Sequence, residues 1–295
     1  MRIFVTGATG FIGTAVVREL LDAGHWVLGA ARSDEGASML KAAGAEVHRG
    51  SLEDPAGLAR GAERAEGVIH LAFNHDFSRF QANCEDDRRV IEALGAVLKG
   101  SGRPLIVTSG TAMVNAPPGE LAVEDGPILK SADMPRAASE EAASALAAQG
   151  VNISIMRLPQ VHDPRRQGLI TYAIALAREK GVSAYLGDGA NRWPAAHLLD
   201  VARLYRLAIE KAAPLAHYHA VAEEGVTMRA VAEALGRRLD LPVASVRAEE
   251  AADHFGWLAH FVARDLAASS AWTRATLGWT PIGPGMIEDL DNLSL

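Results

Sequence analysis

Cysteine is nearly missing: Cys84 is the only one in 295 residues. An internal disulfide framework and a cysteine-rich zinc site are therefore excluded. An excess of basic charge is lacking too, with 29 Lys and Arg against 36 Asp and Glu. A net charge of -7 argues against a phosphate-coating nucleic-acid binder. No apolar run reaches the 18 or so residues of a membrane span. The opening run Ile3-Phe4-Val5 stops at once, too short for a secretion signal. The protein is thus expected to be soluble and cytoplasmic, with no membrane or nucleic-acid partner. Clusters of His, Asp and Glu at metal-ligand spacing are also wanting, so no metal is expected.

What is present alternates regularly. Ile3 to Thr6 reads as a buried strand, and Phe11 to Ala23 as a helix stopped by Gly24. Trp26 to Ala31, Ala45 to His48, Gly67 to Phe73, Leu105 to Ser109 and Val151 to Met156 read as further strands. Helices over 35–43, after Pro55, over 80–98 and over 136–148 fill the gaps. Strand then helix with short turns predicts a doubly wound parallel α/β sheet covered on both faces. Between Gly110 and Pro135 turn chemistry dominates, a long loop of the kind that receives substrates. Beyond residue 157 the pattern becomes mixed, with helices near 169–180, 201–211 and 228–239. The expected division is a dinucleotide-binding part over 1–157 and a smaller substrate-binding part over 158–295, interwoven with it.

The sharpest motif is Thr6-Gly7-Ala8-Thr9-Gly10-Phe11-Ile12-Gly13, which ends a strand and opens a helix. Gly7 allows a tight turn, Gly10 lets backbone approach a pyrophosphate, and Gly13 lets helix and strand touch. The amides near Thr9, Gly10, Phe11 and Ile12 then face the phosphates, aided by the helix dipole. At the end of the second strand stand Arg32 and Ser33, where NAD-selective sites usually carry an acid. Guanidinium and hydroxyl suit a 2′-phosphate, so NADP is favoured. Asp34 and Glu35 follow immediately and leave NAD possible.

These residues and those after them resemble the extended or atypical short-chain dehydrogenase/reductase family, of NAD(P)-dependent epimerase/dehydratase type, over nearly the whole chain. The resemblance implies a Rossmann-type fold with a smaller mixed α/β part. It implies cofactor contacts at Ser51 and Leu52 on the adenine side, along Leu71, Ala72 and Phe73, and at Pro159 and Val161 near the nicotinamide. The stretch Arg192-Trp193-Pro194 with His197 through Ala202 resembles the family's substrate side. Asn74, His162, Trp193 and His197 become substrate-contact candidates. Leu277-Gly278-Trp279-Thr280-Pro281 resembles the family's C-terminal motif. A homodimer through the two long central helices is a family-based expectation beside a monomer.

The chain departs from the family at the chemistry. Family reductases use Tyr-x-x-x-Lys on the helix after the long loop, and no such motif occurs here. Arg136 stands at the tyrosine and Glu140 at the lysine, with Ser139 retained. Arginine does not give up a proton near neutral pH. Arg136 either stabilises negative charge, clamps a substrate anion, or pairs with Glu140 one turn on. Ser109 and Thr111 flank Gly110, which stands where the family places its catalytic hydroxyl, and His75 has the titration range to replace the tyrosine, with His162, His197 or an ordered water as the other candidates. The leading expectation is an NADP-dependent oxidoreductase acting on a small carbonyl, alcohol or imine. The alternatives are a catalytically silent NADP-binding redox sensor and a sugar-nucleotide epimerase or dehydratase.

Overall fold

A computed structural model describes residues 1–294. Its centre is a sheet of seven strands. They are β1 (Arg2–Thr6), β2 (Trp26–Ala31), β3 (Glu46–Arg49), β4 (Gly67–His70), β5 (Leu105–Gly110), β6 (Ile153–Leu158) and, after three strands placed elsewhere, β10 (His217–His219). Their order is β10-β6-β5-β4-β1-β2-β3, and every pairing is parallel. Helices α1 (Phe11–Asp22), α2 (Asp34–Ala42), α3 (Pro55–Glu63), α4 (Phe80–Leu98) and α5 (Ala138–Ala147) make the crossovers. The pleat sorts the core. Ile3 and Val5 face a layer with Val16, Val17 and Leu20 of α1, while Phe4 faces Leu94 and Leu98 of α4 across the sheet. This is the Rossmann-type α/β architecture.

The strand order reverses between β1 and β4, where such sheets open a ligand crevice at their carboxyl ends. β4 is shorter than its apolar run, which continues to Phe73. The strand stops at His70 because the N–H groups of Leu71 and Ala72 both turn to Thr6 Oγ1, at 3.2 Å. β6 lies two residues later than its pattern suggests. Val151 N–H bonds to Leu146 O and so still belongs to the end of α5. α5 begins at Ala138, and Pro135–Ala137 forms a separate 3₁₀ turn opened by the proline.

The second part holds β7 (Gln160–His162), β8 (Ser183–Leu186), β9 (Arg192–His197), β11 (Glu223–Thr227) and β12 (Val243–Val246). β7 and β11 flank β9, and β12 pairs with β8. Its helices are α6 (Ile170–Lys180), α7 (Leu198–Lys211), α8 (Met228–Leu239), α9 (Ala251–Phe255), α10 (Ala259–Val262), α11 (Ala271–Leu277) and α12 (Met286–Asp291). The chain returns to the large sheet twice, because α7 packs on α1 and β10 extends the sheet beside β6. No described helix is long and apolar enough to cross a membrane.

A charged chain runs through this junction. Arg157 on β6, fully buried, meets Glu140 of α5 with two hydrogen bonds of 3.0 and 2.8 Å. Its Nη1 also lies 3.1 Å from His219 Nε2, while His219 Nδ1 donates to Ser269 O at 2.8 Å. Burial and the Arg157 charge push the imidazole down to about 4. In the unfolded chain a histidine titrates near about 6.5. The unfolded state therefore takes up a proton first, and the stability His219 contributes is complete above about pH 6.5 and lost toward pH 4. Thermal melts should show Tm falling by about 5 °C between pH 7 and pH 5, with a shallower fall in His219→Gln.

Candidate functional site

The glycine turn takes the shape its motif requires. Gly7 has φ +65°, and a Cβ there would lie 2.7 Å from Ala72 N, so β1 and the end of β4 touch backbone to backbone. A Cβ on Gly13 would stand 2.0 Å from Gly7 O, the contact that brings α1 against the turn. Gly10 is exposed and caps α1 with no side chain, so the first amides of the helix remain unspent. Thr9, Phe11 and Ile12 are partly exposed around it. A pyrophosphate fits this cradle on steric and electrostatic grounds.

At the end of β2, Arg32 is exposed. Ser33 caps α2 by accepting Gly36 N–H at 3.1 Å, which leaves its own hydroxyl proton free. Asp34, the rival acid, is engaged by Arg49 of β3. Ser51 and Leu52 are half-buried beside this corner. The Ser51 hydroxyl, first among several influences that include Arg32, holds the Glu53 carboxyl below its usual range.

Arg136 does not pair with Glu140, which removes one of the three roles open to it. Glu140 is spent on Arg157, whereas Arg136 reaches across to α4. Its Nη1 donates to Asp87 Oδ2 at 2.9 Å and also bonds Ser139 Oγ, and its Nη2 donates to Thr108 O at 2.8 Å. The guanidinium lies 4.3 Å from the centre of the Phe73 ring. Asp87 gathers the group. It accepts from Ser139 Oγ at 2.5 Å and from His70 Nε2 at 2.9 Å. Burial alone would raise its pKa, but the Arg136 charge and the His70 and Ser139 hydrogen bonds outweigh it and hold the carboxyl below the usual range. Thr6 Oγ1 already accepts two amides, so its own proton goes to His70 Nδ1, 2.7 Å away. One continuous chain thus joins Thr6, next to the glycine turn, to the Arg136 guanidinium.

Two hydroxyls stand at the end of β5. Ser109 is 5% exposed, and its Oγ has no hydrogen-bond partner among the described residues. Thr111 Oγ1 reaches only Leu158 O, at 3.5 Å. Thr108 is occupied by His70 O and the buried Tyr205 hydroxyl. Above them runs the segment 71–76. Asn83 ties it down by donating to Asp76 O at 2.8 Å, and Asn74 Oδ1 accepts Asp76 N–H. His75 is solvent-exposed, with its ring edge-on to Phe73 at 5.2 Å. Although the residue is exposed, partial loss of water around the ring and, after it, the nearby Arg136 charge hold its imidazole below the ordinary range.

Three expected substrate contacts lie elsewhere. His162 is wholly buried, with Nδ1 2.6 Å from Asp289 Oδ2. His197 accepts Leu199 N–H and so caps α7. Trp193 is 1% exposed and donates from Nε1 to Arg264 O, in the core of the second part. Each is a packing or capping residue, because their pattern placed them on β7 and β9 and those strands turn them inward. Val161, expected beside the nicotinamide, likewise belongs to the core, while Pro159 stays half-buried. Among the described residues no group of three His, Cys, Asp or Glu could hold a metal.

Asp87 was legible in principle. It sits on the apolar stripe of α4 with Cys84, Val90, Ile91 and Leu94, and a carboxylate on such a stripe demands partners. Which partners could not be read from α4 alone.

The profile of the NAD dependent epimerase/dehydratase family matches residues 3–222. The chain belongs to this family. A protein of Schizosaccharomyces pombe described as uncharacterized is 48% identical over 98% of both chains. The 2-alkyl-3-oxoalkanoate reductase of Stenotrophomonas maltophilia is 30% identical, covering 72% of this chain and 67% of its own. Among solved structures, the dTDP-glucose 4,6-dehydratase DesIV of Streptomyces venezuelae, bound to NAD, superposes with a TM-score of 0.77. It is 20% identical and covers 99% of this chain and 96% of its own. Family membership makes this an NAD(P)-dependent protein of the oxidoreductase and epimerase kind.

Glu140 is held in place by its buried partner. Glu140→Lys would set a second cation against the buried Arg157 in place of its counter-ion. The variant should lose at least about 3–5 kcal/mol of stability by denaturant titration. An unchanged midpoint would show that the Arg157 pairing carries no weight.

Proposed function

We propose that the protein is an NADP-dependent oxidoreductase that interconverts a small carbonyl compound and its alcohol. NADP, when bound, supplies or receives the hydride. The observation that supports this reading is the Arg136 guanidinium, fixed by Asp87 and Thr108 O at the end of β5, where the family carries a tyrosine. A permanent charge there stabilises an oxygen that becomes negative but transfers no proton. Ser109, whose Oγ is otherwise unpaired, hydrogen-bonds the same oxygen, with Thr111 beside it.

Proton transfer falls to His75. Its depressed pKa leaves the imidazole neutral at pH 7, ready to accept a proton from an alcohol; its protonated form gives one to a forming alkoxide. The name of the reductase relative, which ends in oxoalkanoate reductase, supports carbonyl reduction over sugar epimerisation. Arg32, exposed at the end of β2, and Ser33, whose hydroxyl proton stays free, support NADP over NAD.

Fluorescence titration should show NADPH binding at least tenfold tighter than NADH. Arg32→Ala should weaken NADPH by about 10- to 100-fold, the worth of a charged hydrogen-bonding contact, and leave NADH unchanged. Equal affinities in the wild type would refute the role given to Arg32. Tight NADPH binding without oxidation of NADPH across ketones, aldehydes and imines would favour the silent sensor.

His75 sets the pH profile. Carbonyl reduction at saturating NADPH should rise as the pH is lowered toward the depressed imidazole pKa, because only the protonated ring donates. Alcohol oxidation should be level above that pKa. His75→Gln should lower kcat by about 10²-fold and flatten both profiles. An unaltered profile in the variant would move proton transfer to water.

A further inference from the structure

Aromatic residues make up only 5% of the chain, yet six of them gather at one place. Phe77, in the turn between β4 and α4, stacks on Trp257 at 4.6 Å and 18°. Tyr172 of α6 stands edge-on to Trp257 at 5.1 Å, and Phe261 of α10 does so at 5.9 Å. On the other side Phe77 lies 5.8 Å from Phe80, which lies 6.3 Å from Phe73, the ring beneath Arg136. This row runs from the site to the surface and clasps the first part of the molecule to the second. It is not sealed from water: Trp257 is 45% exposed and Tyr172 42%. Rings left half-wet at the rim of a site offer an apolar contact face.

The same segment carries a cation without a counter-ion. Arg264 N–H bonds to Phe261 O, which ties the residue to the turn that holds the aromatic row. Its Nη2 donates to Ala112 O at 3.2 Å, beside Thr111 at the end of β5. Its Nη1 is enclosed and has no hydrogen-bond partner among the described residues. The neighbouring acid, Asp265, is taken by Arg192 at 2.7 Å. Burial alone pushes the Arg264 pKa down. An enclosed guanidinium with spare N–H bonds is costly, and a ligand carboxylate would relieve that cost by charge-assisted hydrogen bonding.

We propose that the substrate is an oxo acid with an apolar, preferably aromatic body, its carboxylate held by Arg264 and its body packed on the Phe77–Trp257 row. The inference rests on the carbonyl-reducing site described above and names its substrate class. The oxo group then lies at the end of β5, between Ser109 and Arg136. A sugar nucleotide would find rings where its hydroxyls need polar partners.

The test measures binding apart from turnover. Protein loaded with NADP⁺ cannot reduce a ketone, so calorimetry with phenylpyruvate, its methyl ester and UDP-glucose reads affinity alone. The acid should bind at least tenfold tighter than the ester. Arg264→Leu should erase that difference, and Arg264→Lys should retain part of it. Trp257→Ala should weaken acid and ester alike by about tenfold through lost packing. NADP⁺ affinity should be unchanged in all three variants, which shows that each is folded. Acid and ester binding equally in the wild type, an acid preference surviving in Arg264→Leu, or tighter binding of UDP-glucose would each overturn the proposal. If the acid binds as expected but NADPH does not reduce it, the oxidoreductase reading fails and the ligand class stands.

Discussion

A carboxylate sealed inside the sheet's edge, Asp87, is the constraint around which the site is organised. An ionised acid in that position is tolerable only with every oxygen engaged. Arg136, Ser139 and His70 meet that demand from three different elements. The charge balance fixes the guanidinium in orientation as well as in place, because its second arm is held by Thr108 O. Through His70 and Thr6 the same balance extends to the turn that cradles the dinucleotide. Positions of the glycine turn and the guanidinium are thereby linked by one hydrogen-bonded chain.

The two residues that the resemblance sets at its tyrosine and lysine positions each have a partner: Glu140 belongs to Arg157, and Arg136 belongs to Asp87. Neither pair is interchangeable with the other. The 3₁₀ turn that carries Arg136 and the helix α5 that carries Glu140 are thus each tied to the sheet, through Thr108 O of β5 and Arg157 of β6. Arginine gives up no proton near neutral pH, while His75, on the segment after β4, is exposed and has its pKa lowered.

The second part contributes surface rather than catalytic groups. His162, His197 and Trp193 serve its interior, where Asp289, the cap of α7 and the apolar cluster account for them. What it offers the crevice is an aromatic row and one uncompensated arginine. Arg264, Trp257 and Phe261 come from the stretch 256–264, made of short helical turns without an apolar period long enough to read, and Tyr172 of α6 joins them.

By itself the sequence determined the parallel sheet, most helix positions and the glycine turn, because these depend on local period, on φ and on the space a Cβ would occupy. Arg32 and the loss of Tyr-x-x-x-Lys were likewise visible as residue identities. The end of β4 and the start of β6 were not, since the amides of Leu71 and Ala72 turn to the distant Thr6 Oγ1 and Val151 N–H closes the end of α5 on Leu146 O. Nor were the partners of Arg136, Glu140 and Arg264. A charge shows its type in one dimension, but its counter-ion lies tens of residues away, and only packing chooses between the candidates.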